Sequence, residues 1–226
     1  MTAIKILNGI EYLYPENPLI GQIKRTLNAF PECEEALTDA LAIGQLKSKM
    51  WLIKNLPDNL GLVFICAGWY GTLASLMFQH VRDKFDKIRS FDIDPSCADI
   101  AEMFNRPWVV EDWQFKASTL DITTMHYPFR YITYRKNKTS LELCDMPDTI
   151  INTSCEHIKD FDNWYMNIPN GKLLVLQSNN YFSLEEHVNC SMDLSEFCYN
   201  TPMENVLFSG ELEFDKYTRF MRIGIK

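Results

Sequence analysis

The sequence predicts an α/β protein in which a mostly parallel seven-stranded sheet lies between layers of helices and ends in an antiparallel hairpin. Two observations predict this arrangement. From residue 59 onwards, short apolar runs alternate with segments of helical periodicity, as in parallel strands joined by helices. The last two apolar runs, 206–208 and 217–224, have no helix of useful length between them, which favours a hairpin at the sheet edge.

The composition is that of an ordinary globular domain. The 226 residues are 46% hydrophobic and 23% charged, which is enough to bury one complete core. The formal net charge of −8 disfavours a protein that binds the phosphate backbone of a nucleic acid over a wide surface. There is no signal-peptide pattern and no apolar run of about 18 residues, so we expect a cytoplasmic protein without a membrane partner.

The chain shows no metal-ligand spacing and only limited basic clusters. Its seven cysteines form no Cys-x-x-Cys pair and have no close spacing to histidine, so we expect neither a metal site nor a disulfide framework. Basic residues form two clusters typical of solvated faces: Lys47, Lys49 and Lys54, and Arg130, Arg135, Lys136 and Lys138. Only the second cluster is an obvious candidate for binding a polyanion.

We predict a single domain, in which residues 1–58 form a helical segment that covers part of a site on a core of residues 59–226. Residues 4–13 mix apolar and polar side chains and are interpreted as an edge strand or a loose arm. Asn17 can cap a helix that has Pro18 at its first position. A second helix is predicted over residues 34–54, where apolar residues recur at helical spacing.

The stretch from Leu62 to Thr72 organises the predicted core. Leu62 to Cys66 is an apolar run without charge, as expected for a strand covered on both faces. Gly68 and Gly71 follow it and precede a helix, an order that brings backbone N–H groups and a positive helix end towards a ligand. Glycine suits such a turn because a Cβ would block close approach or disfavour a positive φ. A simple tight turn is the alternative interpretation.

An acidic residue ends the next predicted strand. Asp92 lies 24 positions after Gly68, where a carboxylate at a neighbouring strand tip can accept hydrogen bonds from ribose hydroxyls. Helix capping is the alternative role for Asp92, although Asp94 is the better candidate for a cap.

Polar residues also follow the later strands. A third strand is predicted to end near Ser118, with Asp121 as a nearby carboxylate, and an insertion near residues 124–146 follows it. A fourth strand spans residues 148–155 and a fifth spans 171–177, and Glu156 and His157 stand just past the end of the fourth. Because ligands bind beyond the carboxyl ends of parallel strands, we expect these polar side chains at one edge of the sheet.

Four segments resemble the class I S-adenosylmethionine-dependent methyltransferases, over a range from about residue 60 to the C-terminus. Residues 65–71 resemble the glycine-rich first motif of that family, and residues 91–95 resemble its acidic second motif. Residues 148–158 resemble the fourth motif, which in small-molecule methyltransferases often ends in Glu-His, and residues 219–224 resemble the last strand. The resemblance implies a Rossmann-like three-layer sandwich that binds S-adenosylmethionine.

The resemblance also assigns roles to residues. His157 and Glu156 are the expected catalytic residues, with His157 as the base for the acceptor proton, although the pair also fits a simple helix start. The expected cofactor contacts are Cys66, Ala67, Gly68, Trp69, Tyr70, Gly71, Asp92, Ile93, Ser118, Thr119, Asn152, Thr153 and Ser154. Two positions depart from the family pattern, because Cys66 replaces an acidic residue and Ser118 replaces an aspartate near the adenine.

The leading prediction is a methyltransferase that acts on a small or medium polar molecule. Asn179 and Asn180 are candidate contacts for that molecule, and capping of the loop is an equally good interpretation of the two residues. Two alternatives stay open. One is an enzyme that transfers the aminocarboxypropyl group of S-adenosylmethionine, as enzymes similar to nicotianamine synthase do. The other is a binding protein that has kept the fold and lost the chemistry. RNA and protein acceptors also stay open, and the sequence does not set the oligomeric state.

Overall fold

The computed structural model of the chain describes residues 2–134 and 139–226. Its strands are β1 (Gly61–Cys66), β2 (Phe85–Asp92), β3 (Phe115–Thr119), β4 (Phe129–Tyr134), β5 (Ser140–Asp145), β6 (Thr149–Asn152), β7 (Leu173–Asn179), β8 (Asn205–Glu213) and β9 (Thr218–Ile225). Seven of them form one sheet in the order β3-β2-β1-β6-β7-β9-β8, and β4 pairs with β5 separately. Within this sheet, β9 runs in the direction opposite to the other six strands and pairs antiparallel with β7 and β8. The predicted parallel sheet with a closing hairpin is confirmed.

Helices cover both faces of this sheet. They are α1 (Thr2–Leu13), α2 (Pro18–Ala29), α3 (Glu34–Ala40), α4 (Ile43–Asn55), α5 (Thr72–His80), α6 (Cys97–Phe104), α7 (Arg106–Val110), α8 (Phe161–Asn167) and α9 (Leu194–Asn200). The core on one face includes α4 and α5, and the core on the other includes α8 and α9. Within the described ranges, no helix has both the length and the apolar character that crossing a membrane would require.

Side chains of β1 alternate between the two cores. Val63 and Ile65 pack with α4 and α5, whereas Phe64 and Cys66 pack with α8 and α9. All four side chains are at most 2% exposed. Burying a side chain of the size of Val, Ile or Phe stabilises a fold by ~1.5–3 kcal/mol, so β1 is held firmly from both sides. The rigid strand fixes the position of the turn that follows it.

The N-terminal segment corrects two predictions. Residues 4–13 are neither a strand nor an arm, because they lie in α1, whose Ile4 and Leu7 pack against the cluster around α2. The single helix predicted over residues 34–54 is divided into α3 and α4, and Ala42 between them is extended with ψ of 148°. The division follows from packing: Leu37 of α3 joins the α2 cluster, while Leu52 of α4 packs against the sheet.

These N-terminal helices rest on the sheet beside the turn after β1. Leu27 of α2 shares a buried cluster with Tyr70 of that turn and with Phe104 of α6. A buried hydrogen bond anchors α4, in which Ser48 Oγ donates to Gln177 Oε1 of β7 at 2.9 Å. The helices and the sheet are therefore joined by apolar packing and by polar contact.

The small β4–β5 sheet packs on the face that carries α8. Phe129 makes an edge contact with Phe91 of β2, with ring centroids 5.0 Å apart. Arg89 of β2 forms an ion pair with Asp145 of β5 across 2.7 Å, and both side chains are largely buried. These contacts fix the small sheet to the edge half of the main sheet.

The first basic cluster differs from the solvated face that was expected, whereas Arg130 of the second cluster is exposed. Lys47 and Lys54 are exposed, but Lys49 is only 7% exposed, so the first cluster is not uniformly solvated. In the second cluster, Arg130 pairs with Glu142 at 3.4 Å. The other members of the second cluster lie outside the described residues: Arg135, Lys136 and Lys138.

Candidate functional site

The turn after β1 lies against the end of β2. Gly68 N donates to Phe91 O at 2.9 Å, and a Cβ at position 68 would lie 2.0 Å from Ser90 Oγ. Close approach of β2 therefore requires glycine at this position. Gly71 also lies in close contact, because a Cβ there would be 2.6 Å from Asn105 Nδ2, and its φ is 68° where it precedes α5. Both glycines thus allow the turn to pack closely, and Gly71 also provides a positive φ.

Asp92 joins this turn to the tip of β2. Its Oδ2 accepts a hydrogen bond from Trp69 N at 2.8 Å, and its Oδ1 accepts one from Asp94 N at 3.1 Å. Ala67 and Trp69 have φ values of 54° and 48°, a left-handed conformation that costs a non-glycine residue about 1 kcal/mol or more. The bond from Trp69 to Asp92 helps to hold this conformation. Since a carboxylate accepts about four hydrogen bonds, Asp92 retains capacity for a ligand.

Beside Asp92 lies a cavity of about 950 Å³. It is bounded by the segments that follow β1, β2, β3 and β6, which is the edge where ligands bind in open parallel sheets. Its volume falls within the ~300–1,000 Å³ typical of ligand pockets. The wall combines apolar and polar residues: Ala67, Trp69, Asp92, Ile93, Leu120, Asp121, Ile122, Thr123, Ser154, His157, Ile158, Lys159, Asp160 and Glu186. We call it the large cavity.

The residues expected from the sequence divide into three groups. Those that line the large cavity are Ala67, Trp69, Asp92, Ile93, Ser154 and His157. Those that line a second cavity, described below, are Thr153, Ser154, Glu156 and His157. Those that line neither cavity are Cys66, Gly68, Tyr70, Gly71, Ser118, Thr119 and Asn152.

Burial explains why several expected residues do not line a cavity. Cys66 is fully buried in the core that includes α8, and burial raises the pKa of its thiol to about 12. Tyr70 stacks on Trp69 with ring centroids 5.2 Å apart and packs against the N-terminal helices. Asn152 is buried at the end of β6, where its Oδ1 accepts from Ser154 N at 2.8 Å. Tyr70 and Asn152 thus position residues that do line the large cavity.

Asp94 and Asn180 take part in local structure. Asp94 Oδ1 accepts from Ser96 N at 2.8 Å just before α6, and this hydrogen bond lowers the pKa of Asp94. Asn180 Oδ1 accepts from Thr218 N at 2.7 Å and so joins the ends of β7 and β9. Neither residue lines the two cavities.

Sequence reasoning missed the part of the wall that follows β3. That strand ends at Thr119, and the wall is formed by the next four residues, from Leu120 to Thr123. Asp121 Oδ1 accepts from Thr123 N at 2.9 Å and from Thr123 Oγ1 at 2.7 Å, which caps a short 3-10 helix. The available signal was the carboxylate of Asp121 after the strand, which was expected only as a neighbour of Ser118. Other wall residues that were missed are Ile158, Lys159, Asp160 and Glu186.

A second cavity of about 210 Å³ adjoins the large one, and we call it the small cavity. The two cavities share Ser154 and His157 in their walls. The rest of the small cavity is mostly polar: Gln45, Thr153, Glu156, Asn179, Tyr181, Leu184, His187, Tyr217 and Arg219. Gln45 comes from α4, so the N-terminal segment reaches this site.

Glu156 is the buried anionic group of the small cavity. It is 1% exposed, and its Oε1 accepts from Asn179 Nδ2 at 2.6 Å and from Arg219 Nη2 at 3.4 Å. Arg219 is also buried, and its Nη1 donates to Thr153 O at 3.0 Å. Glu156 Oε2 has no hydrogen-bond partner in the described part of the chain. An unsatisfied buried polar group costs ~1–3 kcal/mol, so a ligand that bonds to this oxygen would remove that cost.

His157 and His187 lie next to each other, with ring centroids 4.7 Å apart and ring planes at 88°. His157 Nδ1 is 3.2 Å from Glu186 O, and His187 Nδ1 is 2.7 Å from Tyr181 O. Because a carbonyl oxygen can only accept, each Nδ1 carries the proton of its hydrogen bond. The lone pair of each neutral imidazole is therefore on Nε2, where it can take up a proton or bind a cation.

Lys49 is a buried amine behind the wall of the small cavity. It is 7% exposed, and its Nζ donates to Gln45 Oε1 at 2.9 Å. Burial, and then the charge of Arg219, lower the pKa of Lys49 to about 7. The amine is thus readily neutralised, and it supports a residue that lines the small cavity.

Comparison with known proteins identifies the fold. No protein-family model and no curated protein matches the sequence. The N-methyltransferase NodS from Bradyrhizobium japonicum WM9, in complex with S-adenosyl-L-homocysteine, matches with a TM-score of 0.56 at 12% identity, over 92% of this chain and 97% of that one. The MccD protein matches with a TM-score of 0.57 at 8% identity, over 81% and 98% of the two chains.

A geranyl diphosphate methyltransferase in complex with GPP and sinefungin is also similar, with a TM-score of 0.54 at 9% identity over 80% of this chain and 78% of that one. These likenesses, together with the strand order, show that the chain has the fold of the class I S-adenosylmethionine-dependent methyltransferases. The fold expected from the sequence motifs is confirmed.

Proposed function

We propose that the protein is an S-adenosylmethionine-dependent methyltransferase that acts on a small or medium polar acceptor. The observation that carries this proposal is the large cavity, which has Asp92 in its wall at the ligand-binding edge of a sheet with methyltransferase strand order. The NodS structure supports it, because that methyltransferase was crystallised with S-adenosyl-L-homocysteine, which remains after methyl transfer.

The large cavity has groups suited to each part of the cofactor. Asp92 would accept hydrogen bonds from the ribose hydroxyls, since its carboxylate has unused acceptor capacity. Leu120 offers an apolar surface for the adenine, and Asp121 offers a carboxylate near it. Trp69 and Ser154 would lie beside the amino-acid part. When bound, S-adenosylmethionine supplies a methyl group made electrophilic by its sulfonium.

The small cavity is suited to the acceptor. It adjoins the large cavity at Ser154 and His157, and its wall offers hydrogen-bonding groups such as those of Tyr181 and Tyr217. His157 Nε2 is free to take the acceptor proton, while the bond from Nδ1 to a carbonyl orients the ring.

We further propose a single domain in which residues 59–226 bind the cofactor and residues 1–58 cover the acceptor side. Gln45 of α4 lines the small cavity, and Ser48 of the same helix bonds to Gln177 of β7. Tyr70, packed against the N-terminal helices, supports Trp69 in the wall of the large cavity. The N-terminal segment thus contributes to both parts of the site.

Isothermal titration with S-adenosylmethionine and, separately, with S-adenosylhomocysteine tests the cofactor assignment. We expect both to bind with micromolar affinity. A folded protein, verified by circular dichroism, that binds neither ligand would overturn the proposal. Mass analysis of products from a pool of polar acceptors then distinguishes methyl transfer from aminocarboxypropyl transfer, because the two groups differ in mass.

A further inference from the structure

Glu156, His157 and His187 form a compact group of potential metal ligands. One ligand atom from each residue lies within 4.8 Å of the ligand atoms of the other two. Glu156 and His157 belong to a short 3-10 helix after β6, whereas His187 belongs to the chain after β7. All three line the small cavity, and His157 also lines the large one. The group therefore lies where the proposed acceptor and cofactor would meet.

Both imidazoles are oriented as metal-binding histidines are. The Nδ1 proton of each ring is donated to a backbone carbonyl, that of Glu186 for His157 and that of Tyr181 for His187. In metal sites such an outer hydrogen bond fixes the tautomer and the ring orientation and leaves Nε2 to bind the ion. Both rings are thus prepared to bind a cation through Nε2.

Glu156 contributes an unsatisfied anionic oxygen. Asn179 and Arg219 bond only to Oε1, and Oε2 has no partner in the described ranges although the residue is 1% exposed. A buried carboxylate oxygen without a donor is destabilising, and a cation removes that cost. Arg219 offsets part of the negative charge of Glu156. The carboxylate would therefore offset less of the charge of a bound ion, and the ion would attract a further ligand more strongly.

We propose that Glu156, His157 and His187 bind one divalent transition-metal ion of the Zn²⁺ type, which in turn holds a hydroxyl oxygen of the acceptor. This inference rests on the proposed function and changes the part of His157 in it from a free base to a ligand. Two imidazole nitrogens and one carboxylate favour Zn²⁺ over Mg²⁺, which prefers oxygen ligands in an octahedron. Three protein ligands leave a coordination position open for the acceptor.

The metal ion activates the acceptor as a nucleophile. Coordination lowers the pKa of the bound hydroxyl, so its proton is released to solvent near neutral pH. The oxygen then forms a bond to the methyl carbon of S-adenosylmethionine while the bond from that carbon to sulfur breaks. The electron pair of the broken bond stays on sulfur, which leaves neutral S-adenosylhomocysteine. The substrate class of the site is therefore a small hydroxylated molecule.

Titration of the protein with Zn²⁺ alone, without S-adenosylmethionine, tests the site. We expect one ion per chain, with affinity weakened more than about 10-fold in His187→Ala and in Glu156→Gln. His80→Ala is the matched control, because it removes an exposed histidine at the far end of α5, and it should bind Zn²⁺ like the wild type. Cys144→Ser removes an exposed free thiol and should also leave binding unchanged.

Spectra of the Co²⁺-loaded protein identify the ligands independently. A visible d–d band without a thiolate charge-transfer band supports nitrogen and oxygen ligands, whereas a strong thiolate band would assign the ion to cysteine and overturn the proposal. Circular dichroism verifies that each variant is folded. If His187→Ala does not fold, His187→Phe keeps a ring in place and removes the ligand.

The outcomes for the metal and for the proposed function are distinguishable. A folded wild type that binds no Zn²⁺, or a His187→Ala that binds it as tightly as His80→Ala does, would overturn the metal site. Binding of S-adenosylhomocysteine without Zn²⁺ binding would overturn the metal site alone. Zn²⁺ binding that is lost in His187→Ala, in a protein that does not bind S-adenosylhomocysteine, would support the site and overturn the methyltransferase assignment.

Discussion

The backbone amide of Trp69 donates to Oδ2 of Asp92 across 2.8 Å, so the turn after β1 and the tip of β2 form one hydrogen-bonded unit. The carboxylate proposed to bind the ribose therefore also orders the neighbouring part of the cavity wall, at Trp69. Asp92 thus has two roles, binding of the ribose and acceptance of the hydrogen bond from Trp69. Substitution by asparagine and substitution by alanine affect these two roles differently.

In Asp92→Asn, an oxygen remains that can accept from Trp69, but the negative charge is lost. We expect the affinity for S-adenosylhomocysteine to fall by about 10-fold or more, since hydrogen bonds to charged groups contribute ~1.5–3 kcal/mol. Asp92→Ala should also lower the melting temperature, because it leaves the Trp69 amide without its acceptor. Calorimetric titration and thermal unfolding measure the two effects. Asp94→Asn, which changes the exposed carboxylate two residues later, is the control. If Asp92→Asn binds S-adenosylhomocysteine as tightly as Asp94→Asn does, Asp92 does not bind the ribose.

His157→Ala should lower turnover by about 10²–10⁴-fold while S-adenosylhomocysteine still binds. The reason is the position of the ring between the two cavities, on the acceptor side of the proposed cofactor site. Single-turnover methyl transfer, measured beside a titration with S-adenosylhomocysteine, separates the two effects, with His80→Ala as the control. Unchanged turnover would exclude His157 from the mechanism, and lost cofactor affinity would assign it to cofactor binding instead.

Gly68→Ala should destabilise the fold by ~1–3 kcal/mol, as expected when a well-packed site receives an extra carbon. The new Cβ would lie 2.0 Å from Ser90 Oγ, and the next nearest atoms are 3.3 Å away or more. Ser90→Ala removes the clashing oxygen, so the double variant should recover most of the lost stability. Urea unfolding of the four proteins completes the double-mutant cycle. Strictly additive losses would show that the clash with Ser90 is not the cause.

Lys49→Met should stabilise the protein, and by more at neutral pH than at alkaline pH. The pKa of Lys49 is lowered from 10.5 to about 7 in the fold, so between these values the unfolded chain binds more protons than the folded one. The free energy of unfolding of the wild type therefore rises with pH in this range, by at most ~1.4 kcal/mol per pH unit from this group. Without the amine, that contribution disappears.

Urea unfolding at about pH 7 and about pH 9 measures the difference between wild type and Lys49→Met across this window. Lys47→Met is the control, because Lys47 lies on the same helix and is exposed. If the stability difference for Lys49→Met is the same at both pH values, Lys49 does not titrate between them.

The sheet was predictable because burial on both faces leaves a distinctive run of residues. The segment from Leu62 to Cys66 is a short apolar run without charge, which is typical of a strand covered on both faces. The ends of such strands can be read from the sequence, and this is why Asp92 and His157 were expected at one edge, where the structure places them. The N-terminal helix was not predictable, since a short helix such as α1 depends on packing against α2 more than on its own propensity.

The small cavity was less predictable because its walls come from segments that are distant in the sequence. Asn179 and Arg219 face each other only because β7 and β9 pair in one register, and together they hold Glu156. A shift of β9 by one residue against β7 would turn Arg219 to the other face of the sheet, away from Asn179. The sequence shows the two strands and the hairpin, but it does not show which residues they place opposite each other.

The buried hydrogen bond between Ser48 and Gln177 spans 129 positions of the chain. During synthesis from the N-terminus, α4 is complete long before β7 emerges from the ribosome. The polar contact that anchors α4 to the sheet therefore cannot form before β7 has been made. The final packing of α4 thus waits for a strand that is translated much later.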